Sequence, residues 1–255
     1  MDCIYVVKNC DECIKEGTYL KLSVIIPTID EYEDVKTVVS QIYDSCRHGD
    51  IAEIMLIHNS DSTDNYIAYL RSLQLFFPEI PLKVVRQNRP GIGAAVYEGF
   101  YASTGDYVTA IGADLENDPR DIAEMITMAE QHPGAVITAS RRLRRGDFKE
   151  YPPVKRFFNI AFQTALHILI RTKQSDITYM YQCTPKELLY RYDFSDSVNT
   201  FILALALLPE MHDIPFYEIP SKVATRQHGK SHLSVQYYAG FIREVLRLIR
   251  KHGKR

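Results

Sequence analysis

Short apolar runs that alternate with segments of helical periodicity restrict the fold of this chain more than any other feature. Five runs rich in β-branched residues follow one another from Leu22 to Ser140: LSVIIP, EIMLIH, LKVV, DYVTAI and AVITAS. The segments between them carry apolar residues at helical spacing. Because short buried strands that alternate with helices form βαβ units, the pattern predicts an α/β fold with a mainly parallel sheet and helices on both faces.

The composition is that of an ordinary globular protein, with 46% hydrophobic and 24% charged residues among 255. This length accommodates one large domain. A net charge of −2 gives no reason to expect nucleic acid as a partner. No apolar run reaches the roughly 18 residues of a membrane-spanning helix, and no signal sequence is recognisable. The five cysteines, an odd number, suit a reducing compartment. We therefore expect a cytoplasmic protein, peripheral at the cytoplasmic face of a membrane.

Changes of pattern along the chain predict three parts. Residues 1–20 are irregular and are expected to form an extension, residues 21–235 a single domain, and residues 236–255 a basic amphipathic helix. A second amphipathic stretch occupies residues 152–170. Both stretches can pack against the core or lie in a membrane interface, and the sequence leaves these interpretations open. The apolar face of the second stretch consists of Phe157, Ile160, Ala161, Ala165, Ile168 and Leu169.

The residues that follow the predicted strands are the first candidates for a binding site. In open α/β sheets, ligands bind beyond the carboxyl ends of the strands. Four segments occupy that position, at residues 27–31, 59–64, 88–94 and 112–119.

Three carboxylates crowd the last of these segments, Gly-Ala-Asp-Leu-Glu-Asn-Asp-Pro. Hard cations such as Mg²⁺ take oxygen ligands and commonly share phosphate oxygens. In an extended loop, Asp114 and Glu116 would point the same way and share one ion. The acids also suit a helix N-terminus, with Asp118 as the cap and Pro119 in the first turn. The two interpretations are compatible, because Asp118 can cap while the other two bind.

A glycine-bearing turn from Asn88 to Ala95 opens a predicted helix. The backbone N–H groups at such an N-terminus suit phosphate or sugar oxygens. Close packing of the helix on a strand would also explain Gly91 and Gly93, and the glycine pattern by itself favours that explanation.

Seven segments, in order from Leu22 to Ser234, resemble family-2 glycosyltransferases, and among them the dolichyl- or polyprenyl-phosphate mannose and glucose synthases. LSVIIPTIDE resembles SVIIPTYNE, NSDSTD resembles the DDGSTD segment that holds the nucleotide base, and RPGIGAAVYEGFYASTGDYV resembles RxGLGxAxxxGxxxAxGDYV. GADLENDP is similar to the metal-binding DADLQHDP, ASR to GSR, DITYMY to the acceptor-loop element DxxSGFR, and EIPSKVATRQHGKSHLS to EVPxxxxxRxxGxSK. The resemblance implies a GT-A fold, with a mainly parallel Rossmann-like sheet that binds a nucleotide-sugar.

The resemblance also implies roles for individual residues. Asp114 and Glu116 would coordinate Mg²⁺ or Mn²⁺ on the donor diphosphate. Arg141, Arg226 and Lys230, with Ser231, would bind phosphates. The implied catalytic residues are Asp114, Arg141 and Arg226. The implied substrate-binding residues are Pro27, Thr28, Glu31, Asn59, Ser60, Asp64, Gly91, Gly93, Ala113, Lys230 and Ser231.

Several positions depart from the family pattern. Gly112 stands where the metal-binding element begins with an acid, and Asn59 and Ser60 replace the paired acids of the nucleotide loop. Residues 178–181 replace SGFR and lack its glycine and arginine. The chain has no tryptophan, so the QxxRW element of processive polysaccharide synthases is absent and polymer synthesis is disfavoured.

The favoured hypothesis is metal-assisted, inverting transfer of a sugar from a nucleotide-sugar to a polyprenyl phosphate at a membrane surface. The basic RxxGKS segment favours a phosphate acceptor, because a neutral hydroxyl needs no compensating cations. One alternative is transfer to a glycan or other soluble acceptor. The other is a degenerate family member that binds nucleotide-sugar or a partner protein without turnover, which Gly112 favours.

Overall fold

The computed structural model describes residues 20–143, 172–192 and 200–222, together with positions 160, 163, 164, 167, 168, 194, 198, 243, 245–247 and 250. The predicted extension, apart from Leu20, and most of the predicted C-terminal helix lie outside these residues. Arg226, Lys230 and Ser231 lie outside them too. The predicted domain boundaries therefore stay predictions.

A sheet of seven strands, counted within the described residues, forms the centre of the fold. Its order is β3-β2-β1-β4-β6-β5-β7, and every neighbouring pair is parallel except the two that involve β6. The prediction of a mainly parallel sheet is confirmed. In chain order the strands are β1 Leu22–Thr28, β2 Ile51–His58, β3 Leu82–Arg86, β4 Tyr107–Ala110, β5 Val136–Ser140, β6 Gln182–Pro185 and β7 Phe216–Pro220.

Helices cover both faces of this sheet, as the sequence predicts. One hydrophobic cluster packs α1, α2 and α4 against the strands, and a second cluster packs α3, α5 and α6 against them. None of the helices in the part of the chain that the structure describes combines the length and apolar character needed to cross a bilayer. The helices are α1 Tyr32–Ser45, α2 Asp64–Ser72, α3 Ile92–Ala102, α4 Asp121–Gln131, α5 Glu187–Arg191 and α6 Phe201–His212.

Side-chain alternation along the central strands separates the two clusters. In β1, Val24 and Ile26 belong to the first cluster and Ile25 to the second, and all three are fully buried. This follows from the pleat of a strand, whose successive side chains point to opposite faces. A Cβ added at Gly99 would lie 2.7 Å from Ile25 Cγ2, so the glycine allows α3 to approach β1 closely.

Candidate active site

Residues that follow β1 and β4 meet at the carboxyl edge of the sheet. These two strands are parallel neighbours, with Ile25 opposite Ala110, so both end on the same side. The pKa of Glu31, which follows β1, is raised mainly by burial and further by the charge of Asp114 in the loop after β4. Together with the shared direction of the two strands, this interaction indicates that the two predicted site residues lie at the same edge.

Glu31 is held in place by hydrogen bonds at the end of β1. Its Oε2 accepts from Thr28 Oγ1 at 3.2 Å and from Ile29 N at 3.1 Å. Burial raises the pKa of Glu31, the two hydrogen bonds oppose that rise, and the Asp114 charge adds to it. The carboxylate is therefore fixed in a partly desolvated position, as a ligand-orienting residue would be.

Tyr66 of α2 completes this corner of the site. Its hydroxyl accepts from Glu31 N at 3.2 Å and hydrogen-bonds the Thr28 hydroxyl. Thr28 is itself buried, whereas Pro27 is partly exposed. Tyr66 was not predicted as a site residue, because a buried aromatic residue on a helix face is usually part of the core.

The loop after β4 is not the extended segment that the sequence predicts. Leu115, between the two predicted metal ligands, has a φ of 60°, in the left-handed region that residues other than glycine rarely adopt. Glu116 N donates to Asp114 Oδ1 at 3.2 Å, so the chain turns back on itself here. The prediction of extended geometry is therefore wrong. Both carboxylate residues are nevertheless partly exposed, whereas Ala113 is buried and its predicted contact with the substrate stays a prediction.

Asp114 and Glu116 supply two carboxylates, whereas Gly112 supplies no side-chain oxygen. A Cβ added at Gly112 would lie 2.9 Å from Asp114 Oδ1. Among the described residues, no three His, Cys, Asp or Glu side chains form a group that could hold a metal ion. Two carboxylates fit Mg²⁺ or Mn²⁺ when the ion takes its other ligands from phosphate oxygens and water. The donor set therefore fits a cation that binds together with a diphosphate.

Asp118 does not cap α4 as predicted, because the helix begins at Asp121 and its N-cap residue is Arg120. The Asp118 carboxylate instead accepts from Arg120 N at 3.1 Å and pairs with the guanidinium Nε at 2.8 Å. Burial would raise the pKa of Asp118, but the hydrogen bonds and charge of Arg120 lower it below its ordinary value. Asp118 thus closes the turn that precedes the helix.

The predicted nucleoside loop after β2 is a compact turn. Asn59 Oδ1 accepts from Asp61 N at 3.1 Å and from Ser62 Oγ at 2.8 Å. Ser60 is exposed, and its carbonyl accepts from Arg86 Nη2 at 3.1 Å. The Asn59 side chain, which replaces one of the family's acids, therefore stabilises the turn itself. The nucleoside contacts of Asn59 and Ser60 stay a prediction.

Asp64 is the first residue of α2. Thr63 caps this helix, since its Oγ1 accepts from Tyr66 N at 3.2 Å. A carboxylate in the first turn is favoured by the helix dipole. Asp64 therefore has a structural reason to be acidic in addition to its predicted place beside the nucleoside.

The glycine turn opens α3 as the sequence predicts. Gly91 is the N-cap residue with a φ of 99°, and no atom lies within 4 Å of a Cβ added there. Close packing on the sheet is provided by Gly99, while Gly93 is buried. The Glu98 carboxylate accepts from Arg89 N at 3.1 Å and braces the turn. The space beside Gly91 at the helix N-terminus is compatible with phosphate or sugar oxygens.

Arg141 is buried directly after β5 in an ion pair with Asp176. Its Nε and Nη2 donate to the carboxylate at 2.6 and 2.8 Å, and Nη2 also donates to Thr178 Oγ1 at 2.9 Å. Burial would raise the pKa of Asp176, but the hydrogen bonds and charge of Arg141 hold it below its ordinary value. Arg141 therefore has a structural role, and its predicted phosphate contact stays a prediction.

The predicted acceptor-loop element packs against the predicted metal loop. Tyr181 donates its hydroxyl to Asp118 O at 3.2 Å, and the Asn117 side chain hydrogen-bonds the Tyr179 hydroxyl. Burial raises the pKa of Tyr179 to about 12. Met180, between the two tyrosines, has a φ of 51°, a conformation that glycine adopts without steric cost. The two motifs are thus joined by tyrosines that the sequence does not single out.

Comparison with known proteins identifies the class to which this fold and site belong. Residues 23–195 match the family model described as glycosyl transferase family 2. The chain therefore belongs to glycosyl transferase family 2, as the ordered motifs predict.

Two curated relatives transfer sugars to lipid phosphates, according to their names. The chain is 25% identical over 240 residues to a dolichol-phosphate mannosyltransferase of Pyrococcus furiosus, covering 92% of this chain and 65% of that protein. It is 26% identical over 127 residues to an undecaprenyl-phosphate 4-deoxy-4-formamido-L-arabinose transferase of Proteus mirabilis, covering 50% of this chain and 38% of that protein. The chain thus spans less than two thirds of either relative.

Two solved structures confirm the predicted GT-A fold. Glucosyl-3-phosphoglycerate synthase from Mycobacterium tuberculosis, solved with Mn²⁺, UDP and phosphoglyceric acid, matches with a TM-score of 0.63 at 17% identity, covering 92% of this chain and 78% of that one. A mannosyltransferase from Pyrobaculum calidifontis, solved with GDP-Man and Mn²⁺, matches with a TM-score of 0.62 at 17% identity. The match covers 94% of this chain and 68% of that one. At these identities the likeness concerns the fold.

Proposed function

We propose that this chain is an inverting glycosyltransferase that moves a sugar from a nucleotide-sugar to a polyprenyl phosphate with the help of Mg²⁺ or Mn²⁺. The observation that carries the proposal is the proximity of Glu31 and Asp114 at the carboxyl edge of a family-2 sheet. Ligands of open α/β sheets bind at that edge, and carboxylates there suit a diphosphate that arrives with a divalent cation.

On the donor side, Asp114 and Glu116 would hold the cation, which supplies electrostatic stabilisation of the departing nucleoside diphosphate. Glu31, fixed by its contacts with Thr28 and Ile29, would orient the nucleoside portion. The open N-terminus of α3 at Gly91 would accept sugar or phosphate oxygens. These residues bind and orient the donor, and none of them needs to move a proton.

On the acceptor side, a phosphate oxygen is already ionised near neutral pH and needs no strong general base. Arg226 and Lys230 would bind that phosphate. Arg141 is the third predicted phosphate-binding residue, and it would have to share its guanidinium between the phosphate and Asp176. In-line attack on the anomeric carbon then inverts its configuration. The rate enhancement would come from positioning and from electrostatic stabilisation.

The lipid part of the proposed acceptor implies contact with a membrane. Ile160 and Ile168, two positions of the predicted amphipathic face, expose 41% and 75% of their surface. Exposed apolar side chains, in a segment that basic residues flank in the sequence, suit the interfacial region of a bilayer. The names of the two curated relatives also support a lipid-phosphate acceptor. We therefore propose peripheral docking at the membrane face where the acceptor phosphate is presented.

A second candidate is a protein that binds a nucleotide-sugar without transferring the sugar. Gly112 favours this candidate, because it removes a carboxylate from the loop that carries Asp114 and Glu116. A cation held by fewer protein oxygens is bound more weakly and stabilises the leaving group less.

The donor half of the proposal is tested by ligand binding. A thermal-shift panel of nucleoside diphosphates and nucleotide-sugars, with and without Mn²⁺, identifies the donor, because a ligand of the folded state raises Tm. Calorimetry on Asp114→Ala should then show loss of the Mn²⁺-dependent part of the affinity. Asp44→Ala, an exposed carboxylate on α1, is the matched control and should bind like the wild type. Equal metal-dependent affinity in the two variants would remove the assignment of Asp114.

The acceptor half is tested by turnover. The donor found in the panel is incubated with polyprenyl phosphate in vesicles, and transfer is followed as labelled sugar that partitions into the lipid phase. The proposal predicts metal-dependent labelling that is absent in Asp114→Ala. Donor binding without labelling of any lipid or soluble acceptor would instead support the non-catalytic candidate.

A further inference from the structure

Tyr179 connects three separate segments at the candidate site. Its hydroxyl lies 3.0 Å from Ser221 Oγ, just after β7, and is hydrogen-bonded by the Asn117 side chain of the loop after β4. Ser221 Oγ also donates to the carboxylate of Asp121, the first residue of α4. The Tyr179 and Ser221 hydroxyls thus connect the acceptor-loop element with the end of β7. They also contact both ends of the turn before α4, at Asn117 and Asp121.

The ring of Tyr179 packs against the guanidinium of Arg141. The guanidinium carbon lies 4.7 Å from the ring centroid, a distance typical of a cation–π contact. The same guanidinium donates two hydrogen bonds to the Asp176 carboxylate oxygens, at 2.6 and 2.8 Å, and only 9% of the Arg141 side chain is exposed. A displacement of the ring would therefore remove its contact with the guanidinium of a buried ion pair.

The loop that Tyr179 contacts has a backbone conformation that needs support. Leu115, between Asp114 and Glu116, has a φ of 60°. Such conformations persist when the surrounding structure determines them. The Tyr179 and Tyr181 hydroxyls supply contacts of this kind, to Asn117 and to Asp118 O, directly after the two carboxylates.

We propose that Tyr179 is a positioning residue that holds the loop of Asp114 and Glu116 in the conformation that binds the metal and diphosphate. This inference rests on the proposed function, because it takes the two carboxylates to be the cation ligands. Tyr179 acts through Asn117 and Ser221 and is not assigned a contact with the donor.

The test compares Tyr179→Phe with the same substitution at Tyr107, the first residue of β4. Calorimetry with UDP and GDP as probes, in Mn²⁺ and again in EDTA, should show affinity in Mn²⁺ weakened by about threefold to tenfold, the loss expected for one hydrogen bond. Affinity in EDTA should not change. Tyr107→Phe is the control, because its hydroxyl accepts from Gly134 N at 2.8 Å at the opposite edge of the sheet. It should lower Tm without altering the affinity in Mn²⁺.

A second variant separates positioning from general destabilisation. Ser221→Ala removes the other partner of the Tyr179 hydroxyl and should weaken binding in Mn²⁺ in the same way. The effects of the two substitutions should not add, because they break one shared network. If the wild type binds and Tyr179→Phe binds equally well, the inference is overturned while the proposed function stands. If the wild type binds neither probe nor any other nucleoside diphosphate, both are overturned.

Discussion

Arg141 and Asp176 form a bidentate, buried ion pair that joins the end of β5 to the acceptor-loop element. The donor–acceptor distances are 2.6 and 2.8 Å, and the side chains are 9% and 0% exposed. Gln163, from the predicted amphipathic segment, also donates to the same carboxylate. The pair therefore holds together residues from three regions of the chain.

Replacing Asp176 with Asn should destabilise the fold strongly. It leaves the Arg141 guanidinium buried without a counter-charge, a change that costs about 3–5 kcal/mol in free energy of unfolding. Urea denaturation followed by circular dichroism measures this cost. Glu187→Gln is the control, because its 3.6 Å pair with Arg191 is exposed and should contribute little. A loss as small as that of the control would contradict the assigned role.

The same pair should make stability depend on acid pH. Burial acts to raise the pKa of Asp176, but Arg141 outweighs it, so the folded pKa lies below the ordinary value. The folded protein then binds this proton less readily than the unfolded chain does. The stabilisation is fully present above the unfolded pKa of about 3.9 and is lost as pH falls through the lower folded pKa. The difference in unfolding free energy between wild type and Asp176→Asn should therefore shrink below about pH 4. A difference that stays constant across that range would contradict the shift.

The strands that the sequence predicts are those with strong local patterns. In β1, for example, the apolar run contributes side chains to both hydrophobic clusters, so burial on both faces of the sheet is visible in the sequence. β6, by contrast, is the four-residue segment QCTP, which has no apolar run although all four residues are buried. It pairs antiparallel with β4 and β5, partners that are distant in sequence. Pairing of this kind is decided by tertiary packing, and a local pattern contains no signal for it.

The residues of the candidate site also fall into those that a local sequence pattern indicates and those that it does not. Asp114, Glu116 and Gly91 can be named as candidates from the sequence, because their residue types and their positions after a strand suggest a binding role. Tyr66 and Tyr179 are not, because an aromatic residue on a helix or loop has the same local signature whether it packs in the core or supports a site. The left-handed φ of Leu115 is also invisible in the sequence, since glycine or asparagine would be the expected residue there.

Restoring the missing acid at position 112 should strengthen metal binding. In Gly112→Asp, the new Cβ would meet Asp114 Oδ1 at 2.9 Å, which the flexible end of that side chain can relieve. A further carboxylate should tighten binding of UDP or GDP in Mn²⁺ on the order of tenfold, because ligand charge controls affinity for hard cations. Calorimetry measures the change, and Gly112→Asn, of equal size without the charge, is the control. Equal affinities for the two variants would show that the position does not face the cation.

Membrane docking predicts that an apolar side chain at position 168 contributes to lipid binding. Ile168 is 75% exposed, and burial of such a side chain in the interface contributes about 1.5–3 kcal/mol. Ile168→Asp should therefore weaken co-sedimentation with anionic liposomes by about tenfold or more. Binding by the wild type should also weaken as salt rises, because basic residues near anionic headgroups are screened.

Leu75 provides the matched control for this experiment. It is 82% exposed at the end of the short helical turn Leu73–Leu75, outside the predicted amphipathic face. If the face that includes Ile160 and Ile168 docks on lipid, Leu75→Asp should pellet with liposomes as the wild type does. Ile168→Asp should pellet less than the wild type. Equal losses in both variants would indicate nonspecific adsorption of exposed apolar side chains. Undiminished pelleting of Ile168→Asp would place the lipid contact elsewhere, and the basic residues between 236 and 255 would then be the segment to test.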